Sequence, residues 1–120
     1  WQAVPLLAMD DGPVVSMRID DRDRALAVVL DTGAIANGPE GAYGVVELPG
    51  DLDADDELVE GLPMYRAQDV RLGEVSIGPM RFLVMDHADP PGTDGFLGNA
   101  LYAARRVLVV PSEEKVFLQR

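Results

Sequence analysis

Hydrophobic positions come in short runs rich in Val, Leu and Ile, separated by Gly, Pro and Asp. Pro13–Ile19 and Ala25–Leu30 flank the polar turn Asp20-Asp21-Arg22-Asp23, which predicts a hairpin with a loop of about four residues. The second run lacks polar alternation, so that strand is expected to be buried on both faces. It leads directly into Asp31, an acidic side chain at the end of a core strand. Gly38, Pro39, Gly41, Gly44, Pro49 and Gly50 punctuate the next stretch and predict a loop with a brief strand at Tyr43–Leu48. Asp69–Ile77 and Met80–Met85 predict two strands joined at Gly78-Pro79. In the first, the period-2 phase slips near Gly73, as a bulge or bend would require. Asn99–Arg105 is the predicted helix, and Arg106–Val110 and Lys115–Leu118 form a final hairpin around Pro111-Ser112-Glu113-Glu114. The pattern predicts a mostly-β domain, barrel-like or a folded sheet, with one short C-terminal helix.

Composition narrows the classes. A chain of 120 residues fits one domain, 1–120, and a hydrophobic fraction of 48% excludes wholesale disorder. With no Cys, a disulfide framework, a thiol nucleophile and cysteine-ligated zinc are excluded, although the compartment is left open. The 21 Asp+Glu against 10 Lys+Arg give a net charge of -11. Such a surface lacks the basic footprint of a nucleic-acid or anionic-lipid binder. No apolar run approaches the ~18–20 residues that span a bilayer, so this segment is not expected to insert into a membrane. The chain opens on Trp1 rather than Met, so a segment ahead of it is expected to be missing, and an exported or periplasmic location stays open.

Leu30-Asp31-Thr32-Gly33-Ala34 carries the candidate chemistry. On its own, Asp-Thr-Gly reads as a strand-ending turn in which Asp bonds a nearby backbone N–H and Gly supplies a positive φ. The context adds an apolar strand before it and Phe96-Leu97-Gly98 far downstream, ahead of the predicted helix. This pattern resembles the retropepsin-like aspartic proteases, the single-domain family of retroviral proteases and their bacterial relatives. The resemblance runs over about residues 13–119 and is poor across 35–68; the nine Arg to one Lys fit a GC-rich bacterial genome.

What the resemblance implies is an aspartic endopeptidase acting on peptide or protein substrates with no metal or organic cofactor. Asp31 would be the catalytic residue, Thr32, Gly33 and Ala34 the supporting loop, and Phe96, Leu97 and Gly98 the packing behind it. Two carboxylates held close cannot both ionise, so such a pair shares a proton and supplies acid and base from one residue type. Thr93-Asp94-Gly95 has the wrong order to be a second copy, so the active unit implied is a homodimer. Ala34, where relatives of the pepsin type carry Ser, implies a mildly acidic optimum.

The chain also departs from the family. Retroviral members carry an Asp soon after the Ala and an Arg after the late Gly; here these positions are Ile35 and Asn99. The substrate-covering flap has two candidates, Gly61–Arg66 and then Gly38–Gly50. A second reading is a catalytically weak or inactive peptide-binding or assembly module, since one copy is half a site and the net charge opposes association at neutral pH. Other motifs reduce to ordinary structure. Asp51, Asp53 and Asp55 have EF-hand spacing, but Asp56 and Leu62 stand where the turn Gly and bidentate Glu belong. His87 has no second His to build a zinc site, and Gly38, Gly41 and Gly44 make no dinucleotide fingerprint.

Overall fold

In the computed structural model the described residues are 1–9, 12–22, 24–31, 37–38, 41–47, 55–59, 62–85, 93–102 and 105–119. Apolar runs condense into strands β1 (Gln2–Ala8), β2 (Val14–Ile19), β3 (Leu26–Leu30), β4 (Asn37–Gly38), β5 (Gly41–Ala42), β6 (Gly44–Glu47), β7 (Asp55–Val59), β8 (Leu62–Leu72), β9 (Val75–Met85) and β10 (Gly95–Leu97). Helix α1 (Asn99–Tyr102) follows, then β11 (Val107–Val110), a 3-10 turn at Pro111–Glu113 and β12 (Lys115–Leu118). The neighbours β2-β3-β10-β6-β9-β8 close on themselves through a β2–β8 pairing. The fold is a mostly-β single domain built on a closed six-stranded barrel, with little helix. Strand β1 pairs with β2 and carries β12 and then β11 outward, while β7 adds to β8. Strands β4 and β5 form a separate small hairpin.

Alternation fills the barrel. Val15, Met17 and Ile19 of β2 point inward and are essentially inaccessible, while Ser16 and Arg18 point out. Val28 and Leu30, Val46, Leu72, Phe82 and Leu97 complete the interior from the other five strands. Val29 is buried as well, so β3 is covered on both faces, as its unbroken apolar run predicts. A second, smaller cluster of Val45, Met64 and Leu83 packs with Tyr43, Met85 and Phe96.

The hairpin between residues 62 and 85 differs from the sequence expectation. The turn lies at Gly73-Glu74, and Gly78-Pro79 sits inside β9. The phase slip at Gly73 therefore marks a chain reversal, and the Gly-Pro pair has another role. Ala67 is opposite Met80 and Val70 opposite Gly78, so two residues of β8, Gln68 and Asp69, face Pro79 alone. This is a β-bulge, one of the few places in a sheet that tolerates proline. A second slip, between Val70–Gly78 and Arg71–Ser76, leaves Ile77 as the extra residue on β9.

The first bulge frees two N–H groups, and Asp20 uses both. Its Oδ1 accepts from Gln68 N at 2.8 Å and Asp69 N at 3.0 Å, and its Oδ2 from the Tyr65 hydroxyl at 2.5 Å. Asp20 N in turn donates to the Asp69 carbonyl at 2.8 Å. The end of β2 is thereby fastened to β8. Partial burial raises the Asp20 pKa, but the Tyr65 hydroxyl, the two backbone donors and the Arg22 charge outweigh it and hold the carboxyl below its ordinary value.

The other expectations are close in place and differ in length. Strands β2, β3, β6, β11 and β12 fall within the predicted runs, whereas β1, β4, β5, β7 and β10 are additional. Helix α1 is shorter than 99–105; Arg105 N still donates to the Leu101 carbonyl at 3.1 Å, and residues 103–104 lie outside the described set. Among the described residues no helix is long and apolar enough to cross a membrane.

Two predictions follow from this architecture. Gly95 has φ +144°, and a Cβ there would run into the Val45 carbonyl oxygen and come within 2.8 Å of Val46 Cα. Gly78 has φ +82° with nothing within 4 Å of a built Cβ. Gly95→Ala combines backbone strain with overpacking and is expected to cost about 2–5 kcal/mol, against about 1 kcal/mol for Gly78→Ala, in urea unfolding. For Asp20, the folded pKa lies below the unfolded value of about 3.9, so its contribution is complete above that value and fades as pH falls through the folded one. Stability measured from pH 6 to pH 2 should therefore fall less steeply in Asp20→Asn than in the parent protein.

Candidate functional site

Strand β3 delivers Asp31 to the rim of the barrel because the three residues before it, Val28, Val29 and Leu30, are buried. Asp31 itself is exposed. Beside it runs β10, parallel to β3, with Val28 opposite Gly95, Val29 opposite Phe96 and Leu30 opposite Leu97. Asp31 N continues this ladder by donating to the Leu97 carbonyl at 2.9 Å. The two halves of the sequence motif, separated by more than half the chain, thus end side by side.

The three residues of the late motif do different things. Leu97 points into the barrel and is completely buried, whereas Phe96 lies on the opposite face of β10 against the smaller cluster. Gly98 is buried and its carbonyl accepts from Leu101 N at 3.0 Å and Tyr102 N at 3.2 Å, which starts α1. Leu101 plugs the core beneath this turn. Thr32, Gly33 and Ala34 lie outside the described residues, as do Ile35, His87, the acidic positions 51–54 and Gly61 of the first flap candidate.

Two residues to which the sequence reading gave no role belong to this region. Asp94 accepts Ala27 N at 2.9 Å through Oδ2 and Arg24 Nη2 at 3.1 Å through Oδ1. Its backbone N donates to the Ala27 carbonyl at 2.7 Å, and its carbonyl accepts Glu47 N, also at 2.7 Å. Asp94 therefore ties the starts of β3 and β10 to the end of β6 and fixes the register that brings Asp31 to Leu97. The sequence signal was its position just before Gly95-Phe96-Leu97-Gly98. Tyr102, four residues after Gly98, is half-buried, and its hydroxyl finds no hydrogen-bond partner among the described residues. Burial first, and then the nearby charge of Asp31, push its pKa above the ordinary phenol value.

A strand-end carboxylate with a parallel neighbour can take up or release one proton, and a second carboxylate must come from elsewhere for paired acid–base work. Among the described residues no three His, Cys, Asp or Glu side chains group as metal ligands.

Asp94→Ala leaves Ala27 N–H without its acceptor and is expected to cost about 1–3 kcal/mol by denaturant unfolding. Arg24→Ala, which removes only the more exposed ion-pair partner, should cost less than about 1 kcal/mol. Compared with protein-family models, with curated proteins and with solved structures, the chain matches none at a significant level.

Proposed function

We propose that this chain is a retropepsin-like aspartic endopeptidase active as a homodimer, with Asp31 of each protomer forming the catalytic pair. The observation that carries the proposal is the parallel pairing of β3 with β10, which sets Leu30-Asp31 alongside Leu97-Gly98 at one rim of a closed barrel. An isolated Asp-Thr-Gly turn has no need of a distant apolar–apolar–Gly segment; a protease half-site of this type uses it to back the catalytic loop. The paired strands β7 and β8 add support, since Leu62, Pro63 and Met64 of the first flap candidate pair antiparallel with β7.

In this reading a water molecule sits between the two Asp31 carboxyls. The ionised carboxylate takes a proton from the water as its oxygen attacks the peptide carbonyl, and the protonated partner hydrogen-bonds the carbonyl oxygen. Collapse of the tetrahedral intermediate returns a proton to the leaving amine. Thr32 and Gly33 hold the loop, Ala34 lies beside the substrate, and Phe96, Leu97 and Gly98 support the loop from behind. Substrate binds as an extended strand, its main chain providing affinity and its side chains preference. The chemistry needs no metal or organic cofactor.

A second reading, a peptide-binding or assembly module without turnover, is favoured by the net charge of -11 per chain, which opposes the association of two half-sites at neutral pH. Cleavage of a diverse peptide mixture from pH 4 to pH 7, read by mass spectrometry beside sedimentation, separates the two. The endopeptidase reading expects products that peak at mildly acidic pH and vanish in Asp31→Asn, with the fold retained by circular dichroism. Turnover by Asp31→Asn at the parent rate would sink it. A stable dimer that yields no products at any pH would favour the binding module.

A further inference from the structure

One buried hydroxyl near the Asp31 rim has no part in the hydrolysis of a peptide by two carboxylates. Tyr102 closes α1, its N–H bonded to the Gly98 carbonyl at 3.2 Å, and Asp31 N is bonded to the carbonyl of the residue before, Leu97, at 2.9 Å. Two backbone bonds thus link Tyr102 to the strand end that carries Asp31. The tyrosine side chain packs against the barrel core, and its oxygen is sealed from solvent with no hydrogen-bond partner among the described residues. A position filled for packing alone is served by Phe, because a buried hydroxyl that donates to nothing loses the water it bonds in the unfolded chain. A sealed phenol oxygen in a folded protein therefore calls for an acceptor.

The acceptor is indicated by charge and by a second pair in the same molecule. Asp31 is near enough for its negative charge, after burial, to help push the Tyr102 phenol above its ordinary pKa. Among the described residues, Leu26–Leu30 of β3, Gly95–Leu97 of β10 and Asn99–Leu101 of α1 carry no other ionisable side chain. Asp94, before the start of β10, is engaged by Ala27 N and Arg24, and Arg105 follows α1. Elsewhere in the chain, the Tyr65 hydroxyl donates to Asp20 Oδ2 at 2.5 Å. There, against the effect of burial, the bond helps hold the Asp20 carboxyl below its ordinary pKa. Tyr102 and Asp31 are the same two groups, with the hydroxyl still unspent.

We propose that Tyr102 is a positioning residue for Asp31: its hydroxyl donates to the ionised Asp31 carboxylate and fixes which way that carboxylate points. Asp31 is exposed at the end of a strand, so its side chain can rotate while the barrel stays as it is. A carboxylate accepts at about four sites, so this bond adds to the interactions Asp31 already makes within the chain. Such a donor favours the charged form, and a protonated carboxyl, a weaker acceptor, gives the bond up. The role in hydrolysis rests on the endopeptidase reading, in which one Asp31 of the pair must be ionised to act as base. The bond itself does not rest on it.

The test is a double-mutant cycle of Tyr102→Phe and Asp31→Ala, read by urea unfolding of the full chain at neutral pH. Asp31→Asn is unsuitable here because it keeps an oxygen that accepts from the phenol. Tyr102→Phe is expected to lower the folding equilibrium constant about three- to tenfold in the parent protein and by less than about 1.5-fold in Asp31→Ala. The Tyr102 phenol, followed by NMR of labelled ring carbons, should ionise at least about half a pH unit lower in Asp31→Ala than in the parent. In a parent that cleaves peptides, Tyr102→Phe keeps the fold and moves the acid limb of the pH profile upward, which lost packing alone would not do. A parent without turnover counts against the endopeptidase reading and leaves the cycle to judge the assignment of Tyr102. An equal cost of Tyr102→Phe in both backgrounds, a gain in stability from Tyr102→Phe in the parent, or an unmoved Tyr102 midpoint would each overturn that assignment.

Discussion

Everything near the Asp31 rim depends on a three-residue strand. β10 lies parallel to β3 and antiparallel to β6, and without it both neighbours would become open edges. An open edge exposes unpaired N–H and C=O groups and invites pairing with other chains. The insertion is possible only because Gly95 lets the β6 backbone come close, and it is held in register by the hydrogen bonds of Asp94 at the base of the strand. The parallel contact joins segments more than sixty residues apart, so its loop-closure entropy must be met by the rest of the barrel. The position of Asp31 is thus a property of the closed barrel and not of its local turn.

The parts of this fold legible in the sequence are those whose local chemistry agrees with their surroundings. Val14–Ile19, Leu26–Leu30 and Lys115–Leu118 are apolar runs bounded by polar or Gly/Pro positions, and each is a strand. Gly78-Pro79 misled because a Gly-Pro pair is a strong turn signal, and tertiary context placed it at a bulge instead. The true reversal at Gly73-Glu74 showed in the sequence only as a slip of phase. Strand β7 was hidden for another reason: Asp55, Asp56 and Glu57 have poor strand propensity, and it is pairing with β8 that holds the chain extended there.

The same distinction applies to the functional region. The adjacency of Leu30-Asp31 to Leu97-Gly98 was to be expected only from the family resemblance, since neither segment by itself says what lies beside it. The contribution of Asp94 could not be expected, since an acidic residue before a glycine is common and its use emerges only when Ala27 and Arg24 arrive from another strand. Tyr102 is similar: its spacing from Gly98 was visible, but its exposure to the Asp31 charge depends on the crossing of β10 beside β3.

On the proposed reading, charge links assembly to chemistry. Each protomer carries a net charge of -11, with a pI near 4.2, so bringing two together at neutral pH meets long-range repulsion that salt partly screens. Acidification toward the pI removes that repulsion. It also favours the singly protonated state of a close carboxylate pair, the one state that contains both the acid and the base. Neither effect needs a dedicated switch residue. A dimeric half-site protease with this composition is therefore poised by its overall acidity to assemble and to hold its working protonation state over the same range of pH.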